Sequence, residues 1–193
     1  MFNTEPYRVQ WTYFTDYYKW CDSFAWRGAF YAFVFNDTKP KEYQQPFQFE
    51  ECIYIGESAG NYYDKQHGHK GHYRSLVHKR MTHHLAPLVR GEYVSRGFNL
   101  IKEKYGYGHN VLKGTLTGRP LWLGLLIPNP DIPDYLVKSW VMYEEARQIL
   151  QYAYNFNKTP LGNTDRDTTK DPDSYSSHVM GLNTLEDFMA DAV

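Results

Sequence analysis

Gly28-Ala29-Phe30-Tyr31-Ala32-Phe33-Val34-Phe35 and Cys52-Ile53-Tyr54-Ile55-Gly56 are the two stretches whose reading decides the fold. Both are short, dense in aromatic and apolar side chains and bounded by turn formers, Asn36-Asp37 after the first and Gly56 at the end of the second. An apolar run of this length reads as a buried strand. Residues 38–50 between them carry Pro40 and Pro46, which do not fit a regular core strand, so they read as a loop. Two strands joined in this way pair most simply as an antiparallel hairpin.

Working outward, the first 27 residues read as an aromatic helical extension. A polar, glycine-bearing stretch runs from Glu57 to Gly71, and Tyr73 to Leu85 reads as a helix stopped by Pro87. Asn99 to Tyr105 is a second, short helix. Leu121-Trp122-Leu123-Gly124-Leu125-Leu126-Ile127, set between Pro120 and Pro128, is a third buried strand. Asp134 to about Tyr154 is the longest helix, and Pro160-Leu161-Gly162-Asn163 closes the compact part. The order β-β-α-α-β-α predicts an α+β fold, a small three-stranded antiparallel sheet flanked by helices. One domain is expected over 1–193, with its core at 28–163, an N-terminal extension at 1–27 and an acidic tail at 164–193, where Leu182, Leu185 and Phe188 would dock one late helix.

A chain of 193 residues, 42% hydrophobic and 22% charged, suits a soluble globular domain. No basic stretch leads into an apolar run and no long apolar segment occurs, so neither a signal peptide nor a membrane span is expected, and an intracellular, cytoplasmic location is the default. Cys21 and Cys52 are too few for a disulfide framework and read as reduced thiols. The net charge of −1 conceals an asymmetry. From Lys65 to Arg119 eleven Lys or Arg face two acids, a balance of +9, whereas residues 164–193 carry a balance of −5. The basic middle is placed to meet a polyanion while the acidic tail masks it in the sum. The histidines at 67, 69, 72, 78, 83 and 84 read as exposed loop and helix imidazoles rather than as a zinc site.

Ala29-Phe30-Tyr31 followed by Tyr54-Ile55-Gly56 resembles the two strand motifs of the GIY-YIG nuclease superfamily, the first degenerate and the second intact. The order of the later elements strengthens the resemblance: Arg74-x-x-x-His78 on the next helix, a third strand, Glu145 on a later helix, then Pro160-x-x-Asn163. Together these elements span residues 28–163. The resemblance implies a divalent-metal-dependent DNA endonuclease acting on double-stranded DNA, with Tyr31, Tyr54, Arg74, His78, Glu145 and Asn163 as its site. Tyr31 would help take a proton from the attacking water, and Tyr54 and His78 would hydrogen-bond and relay.

Elementary chemistry fits these roles. Neighbouring strands lie about 4.8 Å apart, so one tyrosine from each can share a face. Arg74 and His78 are one helical turn apart and lie on one side of a helix. A guanidinium fork matches phosphate oxygens and stays charged. A single carboxylate suits one Mg²⁺ (or Mn²⁺), which keeps most of its waters and takes its other ligands from substrate. Glu144 competes with Glu145 for that role; Glu145 is preferred because Ile149 follows four positions later and Met142, Ile149 and Phe156 would share its inward stripe. Asn157 competes with Asn163, which is preferred for the preceding proline.

Glu57 stands where many members of that family carry Lys or a small residue, and Lys65 or Lys70 would replace the missing phosphate-binding lysine, with Lys79 and Arg80 as further DNA contacts. The long intervals between the motifs resemble restriction-type members. A site-specific enzyme, acting as a homodimer on a palindrome, is the expected subtype. A phage or mobile-element nicking enzyme and a catalytically silent DNA-binding protein on the same fold are the alternatives. Tyr105-Gly106-Tyr107-Gly108-His109 reads either as a base-stacking loop or as a simple turn.

Overall fold

The computed structural model describes residues 8–14, 16, 28–58, 76–93, 95–126 and 131–163. Among them the chain is an α+β fold with five strands, paired antiparallel, and three α-helices. The strands are β1 (Gln10–Tyr13), β2 (Ala29–Phe35), β3 (Cys52–Ser58), β4 (Thr115–Leu116) and β5 (Arg119–Leu126). The helices are α1 (Leu76–Arg90), α2 (Arg96–Tyr105) and α3 (Asp134–Phe156). The main sheet runs in the order β1-β5-β2-β3, and β4 forms a hairpin with the start of β5.

Every residue of β2 is buried, because both faces of the sheet are covered. Side chains alternate along a strand. Ala29, Tyr31, Phe33 and Phe35 therefore meet Met81 and Leu88 of α1 and Phe98 and Ile101 of α2. Phe30, Ala32 and Val34 meet Val137, Val141, Ile149 and Tyr152 of α3 on the other side. Fully burying such a side chain contributes about 1.5–3 kcal/mol. A strand sandwiched in this way has no polar face, and its sequence is an unbroken apolar run.

Three sequence expectations are corrected. The first 27 residues are not simply helical: Gln10–Tyr13 adds a strand to the outer edge of β5. Trp11 lies opposite Gly124, whose missing side chain leaves room for the indole; a Cβ there would come 2.5 Å from Trp11 Cζ3. Tyr13 stacks on its cross-strand partner Trp122 with 4.3 Å between ring centroids. Pro87 does not stop α1, which continues to Arg90. A proline in the last turn removes a single backbone bond, and the helix ends where Gly91 takes φ +70 and donates to the Pro87 carbonyl at 2.9 Å. Met142 is at the surface, 36% exposed, and does not share the inward stripe.

Cys52 is a buried free thiol. Among the described residues no helix is long and apolar enough to cross a membrane. Cys21, the acidic tail and its docking helix lie outside the described residues.

Candidate active site

In β3, Tyr54 and Gly56 share one face, and the β2–β3 register sets Tyr31 opposite Gly56 and Phe33 opposite Tyr54. The Tyr31 ring thus lies across a residue that has no side chain. A Cβ at Gly56 would come 2.6 Å from Tyr54 Cε1 and 2.9 Å from both Tyr31 Cζ and its hydroxyl oxygen. Gly56 is not among the positive-φ residues, so space rather than backbone conformation requires glycine here.

Helix α1 closes over this pair. His84 sits on the buried stripe with Met81 and Leu88, spaced three and four residues apart, and is 6% exposed. Its ring stacks on Phe98 at 4.5 Å between centroids and 8° between planes, and its Nε2 lies 2.7 Å from the Tyr31 hydroxyl. Tyr54 approaches both groups, 5.1 Å from His84 and 5.9 Å from Tyr31 by ring centroid. Arg80, one turn before His84, lies at the surface, and its charge acts on the Tyr31 and Tyr54 hydroxyls.

The Arg-x-x-x-His pair that meets the tyrosines is therefore Arg80 and His84. The sequence reading assigns that place to Arg74 and His78, and the spacing is identical in both pairs. Arg74 lies outside the described residues; His78 belongs to α1, with its side chain outside them. The signal that marks His84 is the apolar stripe: Met81 and Leu88 bracket it on the core side.

The electrostatics follow from burial and from one cation. Burial raises the Tyr31 pKa well above that of an ordinary phenol, Tyr54 adds to this, and Arg80 offsets only part. Burial also lowers His84 to about 3, helped by the positive charge of Arg80 and by neighbouring His83. Burial pulls Arg80 down, but Tyr31, Tyr54 and Glu57 outweigh it and hold the guanidinium charged. At neutral pH the site is thus a fixed cation above a neutral phenol and a neutral imidazole. His84 Nδ1 is buried and has no partner among the described residues.

Asn163 holds the outer edge of β3 behind these residues. Its Oδ1 accepts from the Ile55 N–H at 2.9 Å and its Nδ2 donates to the Ile55 carbonyl at 2.6 Å, as a neighbouring strand would. Both polar atoms of the amide are committed to the Ile55 backbone, so Asn163 holds β3 in place. Asn157 caps α3 in the left-handed conformation, φ 52, and is exposed. Replacing Asn163 by Ala is expected to cost about 2–4 kcal/mol, because two hydrogen bonds are lost and two buried backbone groups are left unpaired. Urea denaturation measures this, and a loss under about 1 kcal/mol would assign the edge to other contacts.

Of the two acids on α3, Glu144 is 1% exposed and accepts from Arg147 at 2.9 and 3.1 Å, while Glu145 is 4% exposed. Glu144 is thereby committed, its pKa raised by burial and only partly restored by Arg147. Glu145 belongs to the helix that packs on the Phe30, Ala32 and Ile55 face, whereas Tyr31 and Tyr54 occupy the opposite face. The two sets therefore approach β3 from different sides. No group of three or more His, Cys, Asp or Glu side chains gathers among the described residues.

Lys65 and Lys70 lie outside the described residues, as does the side chain of Lys79. Part of the basic run is engaged internally: Arg90 with Glu92 at 2.8 Å, Lys102 with the Gly91 carbonyl at 2.7 Å, and Arg119 with Glu51. Arg80, Arg96, Lys104 and Lys113 are exposed.

The chain matches no family model, no curated protein and no solved structure. Its function is therefore read from the geometry of the site alone.

Proposed function

We propose that this chain is a DNA endonuclease of the GIY-YIG type, with β3-β2-β5 as the three-stranded core and β1 and β4 as additions to it. The observation that carries the reading is the convergence of one tyrosine from each hairpin strand with an Arg-x-x-x-His pair from the next helix, above a glycine that makes room for both rings. Such a constellation suits a phosphodiester. Arg80 offers a fixed fork to the non-bridging oxygens, and the exposed cations along α1 and α2 hold the flanking phosphates of double-stranded DNA.

Tyr31 is fully buried with its hydroxyl against His84, so it would act on the attacking water by way of the half-buried Tyr54. Removing the water's proton is harder, because an ordinary phenol at pH 7 is about 4 kcal/mol from ionised and burial of Tyr31 widens that gap. Arg80 narrows it in part. Glu145 lies across the sheet from Tyr31, so a Mg²⁺ or Mn²⁺ ion beside the phenol would have to take its ligands from substrate and water; such an ion would supply positive charge to the leaving 3′-oxygen. Hydrolysis joins the water oxygen to phosphorus and breaks the bond to the 3′-oxygen, which departs with the electron pair. His84, neutral and stacked, keeps Tyr31 in place.

The rise in the Tyr31 pKa and the placement of Glu145 across the sheet favour a second reading, a DNA-binding protein on the same fold that does not cut. Incubating the purified protein with supercoiled plasmid and Mg²⁺ or Mn²⁺ separates the two. The wild type is expected to cut, Arg80→Ala and Glu145→Gln to slow cutting about a hundredfold or more, and Arg74→Ala to retain most of it. Retained DNA binding without cleavage in either metal would establish the silent reading. A dead Arg74→Ala beside an active Arg80→Ala would move the site to Arg74 and His78.

A further inference from the structure

At the far end of α1 the chain forms a groove that the cleavage site does not use. It has a volume of about 180 Å³ and opens between Tyr105, Tyr107, Asn110 and Thr117, over a floor of Val111 and Leu116. The floor is apolar and buried. Tyr107 is 60% exposed, yet its ring lies on Gly91, where a Cβ would come 2.8 Å from Cε2 and Cζ. Glycine thus fixes a large exposed aromatic at the groove mouth. The Lys104 ammonium stands 5.0 Å from the Tyr105 ring centre, and His109 and Lys113 are exposed in the short helical turn that carries Asn110 and Val111.

The lip is strained. Thr117 has φ +54 and Gly118 φ +77, the pattern of a turn in which asparagine followed by glycine is the relaxed choice. A β-branched residue at positive φ is a true outlier. Residues kept in such conformations cluster where a ligand is gripped.

We propose that this groove binds one unstacked base of a DNA strand whose phosphates run along α1. A slot with an aromatic wall and one amide, on a segment that also carries exposed Lys104, His109 and Lys113, matches a base on its backbone, because every base offers a π-face and every linkage a negative charge. The volume admits one base and not a stacked pair. The Gly108 N–H donates to the Leu88 carbonyl at 2.9 Å, so the groove is tied to the end of α1, roughly 12 Å along the axis from Arg80. At about 3.4 Å per nucleotide, a strand held at Arg80 delivers its third or fourth neighbour there. The inference rests on DNA being the polyanion at Arg80 and does not require that it be cut.

The test is fluorescence anisotropy of a short labelled single-stranded oligonucleotide, beside an oligonucleotide of equal length made of abasic sites. Tyr107→Ala is expected to weaken the base-bearing strand about tenfold, Tyr107→Phe to restore it, and the abasic strand to bind wild type and Tyr107→Ala alike. Equal affinity of wild type and Tyr107→Ala for the base-bearing strand would overturn the proposal, as would the same loss on the abasic strand or no single-strand binding by the wild type. Plasmid cleavage scored on the same preparations keeps the two readings apart. Cutting without a Tyr107 effect sinks the groove and spares the nuclease; a Tyr107 effect without cutting does the reverse.

Discussion

Gly56→Ala is expected to lower DNA cleavage at least about a hundredfold while costing only about 2 kcal/mol of stability. A methyl group at this position meets Tyr54 Cε1 at 2.6 Å and the Tyr31 hydroxyl oxygen at 2.9 Å. Tyr31 is fully buried between Phe33, Tyr54 and His84, so its ring cannot swing into solvent to make room. The rings must separate instead, and the 2.7 Å contact from Tyr31 to His84 is the first to lengthen. Because Gly56 is not at positive φ, the strand itself tolerates alanine. Circular dichroism and a plasmid assay on one preparation measure both effects. A folded Gly56→Ala protein that cuts at the wild-type rate would show that the Tyr31–Tyr54 geometry is not the seat of the chemistry.

Acid is expected to unfold the protein through His84 ahead of a matched variant that lacks it. The folded state holds His84 at about 3, against an ordinary histidine near 6.5 in the unfolded chain. The folded pKa is the lower of the two. Between these values the unfolded state binds the extra proton, so stability is full above about 6.5 and drains as the pH falls toward about 3. One such proton changes stability by at most about 1.4 kcal/mol per pH unit. His84→Phe keeps an aromatic ring against Phe98 and removes the titration. Urea midpoints from pH 7 to pH 4 should therefore fall more steeply for the wild type than for His84→Phe, the difference reporting this residue apart from the carboxylates. Parallel slopes would mean that His84 is solvated in the folded protein.

Much of the fold is legible in the chain because burial on two faces demands unbroken apolar runs, and the segments of β2, β3 and β5 carry them. Strand alternation likewise brings Tyr31 and Tyr54 to one face before any contact is known, and the glycine two residues after Tyr54 is what a ring crossing from the opposite strand requires. β1 is less visible. Val9-Gln10-Trp11-Thr12-Tyr13 alternates as a strand should, but it is short, and its partner Gly124 lies more than a hundred residues away. A local pattern does not show the space that Gly124 leaves for Trp11.

The site divides along the same line. By itself the sequence determined the residue types, the paired tyrosines and a helix carrying Arg and His at one-turn spacing. It offered that spacing twice, at 74 and 78 and again at 80 and 84, and it offered two adjacent glutamates and two asparagines. Which of them the fold brings to the tyrosines depends on the tertiary structure. The phase of α1 over the sheet is set by Met81 and Leu88 entering the core, and that rotation carries His84 onto Tyr31. Arg147 engages Glu144, and the open edge of β3 takes up Asn163. Spacing along a helix or strand is a local property of the chain; the direction in which that spacing points is settled by which side chains the rest of the molecule buries.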